Sequence, residues 1–229
     1  CQVVEGSPLA LQLAASWIKL LSPAEIANEI RQNFDVLSSR STQVDEKHHS
    51  IEAVFEYSWQ RLADEERAVL RKLSVFEGGF TRDAASNIAA AKLAILATLA
   101  DKSLIRTAGE NRFDLHPLIK QFAALKLAAR EEEQRQTQEK HASFFELMIS
   151  NPRAFPEPSI LQKLMSDYEN ALASWRWVIS NKVGQDISSF ANGLGMFTLA
   201  CLRSSEGVMV FQNAEACLRN VEHIHVPSL

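Results

Sequence analysis

The sequence predicts a mainly α-helical protein that contains one short β-hairpin, and three observations support this prediction. The 229 residues include only 8 Gly and 7 Pro, and a low content of helix-breaking residues favours helices. Apolar side chains recur at helical spacing through most of the chain. Two short stretches on either side of the sequence Ala108-Gly109-Glu110-Asn111 look instead like strands joined by a turn.

The composition limits the kinds of partner that we expect. Hydrophobic residues make up 46% and charged residues 23% of the chain, which are ordinary values for a soluble globular protein. The net charge of −4 provides no basic field to attract nucleic acid. No apolar run approaches the roughly eighteen residues of a membrane span, so we expect no membrane partner.

The cysteines and the first residue suggest a cytoplasmic segment of a longer protein. Cys1, Cys201 and Cys217 are an odd number at unremarkable spacing, which predicts reduced thiols and a cytoplasmic location. The chain begins at Cys1 in the middle of a pattern and without a signal peptide. We therefore expect a piece of something larger.

Residues 1–37 are predicted to be a helical segment, and residues 38–49 a polar, exposed linker. Ser7 and Pro8 provide an N-cap and a first helical residue. The stretch that follows is apolar nearly all round, so we expect it to be buried. Ser22-Pro23-Ala24-Glu25 has the form of a capping box and predicts a second helix that runs to about Gln32.

Residues 50–127 are predicted to form a winged-helix domain, because helices are followed by a strand, a turn and a strand. The predicted first helix has the apolar face Ile51, Val54, Phe55, Ser58, Trp59 and Leu62. Asp64 is the expected cap of the second helix, which runs to Phe76 with Val69, Leu70 and Leu73 facing inward. Thr81 is the expected cap of a third helix, which runs to about Ala90. A fourth covers Lys92–Lys102 with Leu93, Leu96 and Leu99 on its inner face, and strands cover Ser103–Thr107 and Arg112–Leu115.

The helix that closes this domain begins with the candidate functional residue. Pro117 suits the first helical turn, and Leu118, Phe122, Leu125 and Ala129 recur on one predicted face. His116 is then the N-cap, beside backbone N–H groups that can bind phosphate or carboxylate. His116 could sense an anion there, or it could be a packed or capping residue with no ligand.

Residues 128–229 are predicted to be an α-helical repeat region. A charged, solvated stretch at 131–140 leads into an apolar one at 141–149, and the prolines at 151–159 mark a loop. A long helix is expected at 160–181, and two more near 186–203 and 206–221. Antiparallel helix pairs of this size indicate the start of a repeat array.

Three stretches together resemble the STAND signalling ATPases, relatives of the NB-ARC proteins. Glu5-Gly6-Ser7-Pro8-Leu9-Ala10-Leu11 looks like their GxP motif, and the stretch from Phe55 to Leu104 is similar to their winged-helix domain. Leu115-His116-Pro117-Leu118-Ile119 stands where that family has Met-His-Asp, although Pro117 replaces the Asp. The tail, with Tyr168-Glu169-Asn170-Ala171-Leu172, resembles their tetratricopeptide-like sensor array.

This resemblance implies a nucleotide switch in a parent protein. Pro8 would contact the adenine and His116 the β-phosphate of ADP, with ADP or ATP and Mg²⁺ held by an upstream nucleotide-binding domain. The other partners would be a protein or small-molecule inducer on the helical array, and further copies of the parent through self-oligomerisation. The phosphate-binding motif GxxxxGK[ST] is absent from this chain. We therefore expect that the segment is not an enzyme and that it binds no cofactor by itself. The parent would signal or regulate transcription.

DNA binding is the first alternative, because winged helices commonly serve it. The predicted recognition helix, Lys92–Lys102, is mostly apolar and small, and the wing turn is not basic. Residues 50–127 hold 11 Lys and Arg against 10 Asp and Glu, which supplies little for phosphates or base edges. We therefore do not expect DNA binding through this segment.

A second alternative is a helical scaffold whose only task is to bind another protein. Trp175, Trp177, Phe190 and Phe197 could line a groove, but aromatic residues at helical spacing are more often core. Metal sites are disfavoured, because His48-His49 and the pair His223 and His225 lack further ligands.

Overall fold

A computed structural model describes residues 8–15, 17–18, 21–29, 54–109, 111–149, 162, 164–181, 187–200 and 207–215. These residues are mostly helical and include one small three-stranded sheet, which confirms the predicted fold class. The predicted linker at 38–49, the predicted loop at 151–159 and all three cysteines lie outside the described residues.

The chain divides into two compact units. The first comprises Cys1–Ser74 and Thr81–Glu131, and the second comprises Val75–Phe80 and Glu132–Leu229. A six-residue piece of the predicted winged-helix domain thus belongs to the helical unit that follows it.

The elements of the first unit follow in chain order. Its helices are α1 Pro8–Ala15, α2 at 23–29, α3 at 54–60, α4 Asp64–Leu73, α5 Arg82–Ala89, α6 Leu93–Asp101 and α7 Pro117–Ala128. Its strands are β2 Arg106–Thr107 and β3 Arg112–Asp114, and β1 Phe80–Thr81 lies where the chain enters this unit again.

The order of elements from α4 to β3 is that of a winged helix. Strand β3 lies between β1 and β2, and β2 and β3 are antiparallel with Arg106 opposite Asp114. The hairpin turn contains Gly109 at φ 95° and Asn111 at φ 56°, conformations that suit these residue types. The hairpin was predicted, whereas the two-residue strand β1 was not.

Among the predicted starts of α2, α4 and α5, those of α2 and α5 are confirmed and that of α4 is wrong. The Ser22 N–H donates to the Glu25 carboxylate at 2.8 Å, and the Glu25 N–H donates to Ser22 Oγ at 3.3 Å, as a capping box requires. Thr81 Oγ1 accepts from the Ala84 N–H at 3.1 Å. Asp64 is the first residue of α4, and Ala63 is its N-cap residue. The Ala63 N–H donates to the carboxylate of Glu66 at 2.9 Å.

The buried face of α7 includes the predicted Phe122 but is otherwise different from the predicted face. Ile119, Phe122, Ala123 and Leu127 are buried, whereas Leu125 is 64% exposed and Ala129 is exposed. The helix carries apolar residues on several sides, so its spacing fits more than one face. The observed face packs Phe122 against the rings of Phe55 and Trp59, at centroid distances of 5.7 and 5.8 Å.

Three further predictions about the first unit need correction. Helix α4 ends at Leu73, before the predicted Phe76. Leu93, predicted to face inward, is 51% exposed at the first position of α6, while Ile95, Leu96 and Leu99 are buried. The stretch at 9–21 is not buried all round, since among its described residues Ile18 is 60% exposed, while Leu13 and Trp17 are buried.

The second unit is built from helices around one apolar core. They are α8 Glu131–Ile149, α9 at 164–166, α10 Tyr168–Asn181, α11 Ile187–Ala200 and α12 at 207–215. Their core includes fully buried Trp175, Val178, Phe190, Leu194 and Phe197. A Cβ at Gly195 would lie 2.4 Å from the Phe211 ring, so this glycine allows α11 and α12 to pack closely.

The long helix predicted at 160–181 is interrupted at Asp167. The Asp167 N–H donates to the Leu164 carbonyl at 3.2 Å, a three-residue turn, and α10 begins at Tyr168. Aspartate competes with the backbone for hydrogen bonds and so favours such breaks. Within the described ranges no single helix is long and apolar enough to cross a membrane; only the bent pair of α5 and α6 meets the length and composition required.

Candidate functional site

His116 occupies the predicted N-cap position at the start of α7. Its backbone is extended, at φ −60° and ψ 139°, and Pro117 is the first helical residue. The Leu118 backbone N–H donates to His116 Nδ1 at 3.2 Å. This hydrogen bond satisfies one of the helix-end N–H groups that would otherwise lack a partner.

The cap fixes the chemistry of the other ring nitrogen. Because Nδ1 accepts a hydrogen bond, the neutral ring carries its proton on Nε2. Partial burial lowers the pKa of His116 from its ordinary value of 6.5, and the positive charge of Arg106 lowers it further, while Asp114 acts in the opposite direction. Nε2 has no hydrogen-bond partner among the described residues, so within this part of the chain it is a donor without an acceptor.

A cross-strand ion pair lies beside this histidine. Arg106 on β2 donates through Nε and one terminal nitrogen to Asp114 Oδ2 on β3, at 3.1 and 2.6 Å. The Arg106 side chain is nevertheless 64% exposed. The positive charge of Arg106 acts on the His116 ring, and the sequence analysis missed this residue.

A signal for Arg106 was present in the sequence. A hairpin around the turn at 108–111 places Arg106 and Asp114 opposite each other, and Asp114 precedes His116 by two residues. The register of the hairpin identifies the pair of Arg106 and Asp114, whereas the residue types alone do not.

Pro8, the second predicted site residue, is the first residue of α1, as the capping pattern predicted. Its side chain and the residues before it lie outside the described part of the chain. Trp17, just after α1, packs edge-on against Tyr57 of α3 at a centroid distance of 4.4 Å. Pro8 and His116 belong to the same compact unit. The structure describes no contact between them.

The face of α6 that a DNA-reading winged helix would use has few polar groups. Its exposed side chains are those of Leu93, Ala94, Ala97 and Asp101. The Thr98 hydroxyl donates to the Ala94 carbonyl of its own helix at 2.9 Å. Base-edge recognition in the major groove needs side-chain donors and acceptors such as Arg, Asn and Gln, and α6 carries none of these residues.

The lysines that flank α6 are paired with carboxylates of the first unit. Lys92 Nζ lies 2.9 Å from Glu65, and Lys102 Nζ lies 2.7 Å from Glu66. Contacts to phosphates would have to compete with these ion pairs. In the described part of the chain, no group of three or more His, Cys, Asp and Glu residues could hold a metal ion; His48, His49, His223 and His225 lie outside it.

Comparison with known proteins shows distant similarity to mycobacterial proteins. The chain is 24% identical over 194 residues to proteins of Mycobacterium tuberculosis and Mycobacterium bovis that are named "Putative HTH-type transcriptional regulator". This similarity covers 79% of the chain but 22% of each relative. An "Uncharacterized protein" of M. tuberculosis is 30% identical over 139 residues, which is 56% of the chain and 35% of that relative.

No family model matches the chain, and no solved structure matches it. The chain thus spans about a fifth of the length of the named regulators that it resembles. A distant relationship to part of these transcriptional regulators is what the comparisons establish.

Proposed function

We propose that this chain is the regulatory segment of a STAND-type transcription regulator whose upstream domain binds ADP or ATP with Mg²⁺. The observation that carries the proposal is the position of His116, a capping histidine at the end of a winged-helix hairpin, whose Nε2–H has no partner among the described residues. The similarity to named transcriptional regulators supports the regulatory role.

In this proposal, His116 Nε2–H donates to the β-phosphate of ADP and Pro8 contacts the adenine. Donation to an anion makes a stronger hydrogen bond than donation to a neutral group. The positive charge of Arg106, which acts on the His116 ring, would also attract an anion. These contacts would hold the winged helix against the nucleotide and favour a closed state.

A signal on the helical unit would then favour an open state in which ADP is exchanged for ATP. The signal would be a protein or a small molecule that binds the open state more tightly, because only a difference in affinity can shift the equilibrium. The parent protein would be cytoplasmic and would self-associate when open. The segment itself would catalyse no reaction and would bind nucleotide weakly or not at all.

A second candidate function is DNA binding by the winged helix itself, and the names of the mycobacterial relatives favour it. The apolar exposed face of α6 and the paired lysines beside it argue against this candidate. Because the similarity covers 22% of those relatives, their DNA-binding part need not correspond to this segment.

Two measurements separate the candidates. Nucleotide released by denaturing the purified parent protein should be ADP, at close to one molecule per chain. Titration of the 229-residue chain with duplex DNA over a salt series should show no sequence-specific binding. A parent without nucleotide, together with specific DNA binding by the segment, would replace the first proposal with the second. If neither ligand binds, a protein-binding scaffold remains.

A further inference from the structure

Residues 75–80, here called the strap, connect two elements of the winged helix but pack in the helical unit. The strap begins directly after Ser74, the C-cap of α4, and ends directly before Thr81, the N-cap of α5. Both ends are therefore fixed to helices of the first unit, and its middle belongs to the second.

Asn170 holds the backbone of the strap at two points. Its Oδ1 accepts from the Glu77 N–H at 2.6 Å, and its Nδ2 donates to the Gly79 carbonyl at 2.8 Å. Asn170 is fully buried in α10. Gly78 and Gly79 have φ angles of 69° and 85°, values that glycine adopts readily and that let both backbone groups meet one side chain.

Phe76 holds the strap through its side chain. It is 3% exposed, and its ring packs against His141 of α8 at a centroid distance of 5.3 Å and against Phe145 at 6.4 Å. His141 is itself fixed by Ser174 of α10, whose Oγ lies 2.8 Å from Nδ1. The strap therefore rests on a buried network that involves both α8 and α10.

We infer that the strap is a conformational link through which a rearrangement of α8 and α10 acts on α4 and β1. Buried polar groups that lose their partners are costly, so the strap follows Asn170 when α10 moves. Tightly packed side chains transmit displacements instead of absorbing them. Since both ends of the strap are helix caps, its movement acts on the C-terminus of α4 and on the pairing of β1 with β3. The link is a property of the fold and does not depend on nucleotide binding.

Hydrogen–deuterium exchange of the 229-residue chain tests this inference with two variants that loosen the strap differently. Asn170→Asp keeps the acceptor for Glu77 but places an oxygen against the Gly79 carbonyl, and Phe76→Leu removes the ring contacts. Asn181→Ala is the matched control, because the exposed Asn181, at the end of the same helix, bonds to the Trp177 carbonyl and to no other group in the described part of the chain.

Both variants should raise exchange about tenfold in the strap, as expected for losing a buried hydrogen bond or ring contact, and also in Thr81 and β3. Exchange in α6 and in the Asn181→Ala control should stay unchanged. Unchanged exchange in the strap would show that Asn170 and Phe76 do not hold it. If exchange becomes faster in the strap alone, no movement is transmitted to the strands. If exchange rises equally in every helix, the variants destabilise the whole chain and the inference also fails.

Discussion

The Leu118 backbone N–H donates to His116 Nδ1 at 3.2 Å, so one side chain both caps α7 and presents a donor at its other nitrogen. The capping role and the proposed ligand-binding role involve different atoms. Here they use opposite sides of the imidazole ring, so variants can separate them.

The capping role predicts how substitutions at His116 affect stability. His116→Ala should lower the free energy of unfolding by about 1 kcal/mol, because the Leu118 N–H loses its acceptor. His116→Asp should leave it close to wild type, because aspartate is a preferred N-cap. Urea denaturation of the 229-residue chain measures both changes. Equal losses in the two variants would mean that the cap contributes nothing.

The lowered pKa of His116 predicts a contribution to stability that depends on pH. Since the pKa is lower in the folded than in the unfolded state, the unfolded chain binds the proton more readily, and acidification favours unfolding. The contribution is complete above the ordinary histidine pKa and is lost as the pH falls through the lower, folded value. Protonation of Nδ1 would also remove the acceptor for Leu118.

His116→Asn retains a capping side chain that does not titrate, so it serves as the reference for this effect. The difference in unfolding free energy between wild type and His116→Asn should shift in favour of the variant between about pH 8 and about pH 5. A difference that stays constant over this range would contradict the predicted direction of the pKa.

The C-caps of α5 and α7 predict opposite effects of the same substitution. Ala90 is left-handed at φ 55°, whereas Ala129 is right-handed at φ −67°, and both are exposed. Ala90→Gly should stabilise the chain by about 0.5–1 kcal/mol, because glycine avoids the strain of this conformation. Ala129→Gly should destabilise it by about 0.5 kcal/mol, because only chain entropy changes. Thermal unfolding of both variants gives the comparison, and a loss of stability on Ala90→Gly would refute the explanation.

The features that the sequence analysis predicted correctly depend on neighbouring residues. The Ser22 and Glu25 box, the Thr81 cap and the His116 cap are set by partners two or three positions away. Such local chemistry can be read from a sequence without knowledge of the fold.

The features that it missed depend on partners far along the chain. Strand β1 has two residues and exists because β3, about thirty residues later, pairs with it. The face of α7 was wrong because Leu118 and Leu125 are as apolar as the residues that are buried. Asn170 is one of several polar residues in α10, and its partners in the strap lie more than ninety positions earlier.

The rate at which ADP leaves the parent protein tests the central proposal most directly, measured for wild type, His116→Asp and His116→Asn with a fluorescent ADP. His116→Asp keeps the cap but repels phosphate, so ADP should dissociate at least about tenfold faster than from wild type, as expected for losing a hydrogen bond to a charged group. His116→Asn keeps both a capping oxygen and an amide donor, so its rate should lie between the two. Equal rates in all three proteins, with folding intact, would contradict the assignment of His116 as the nucleotide latch.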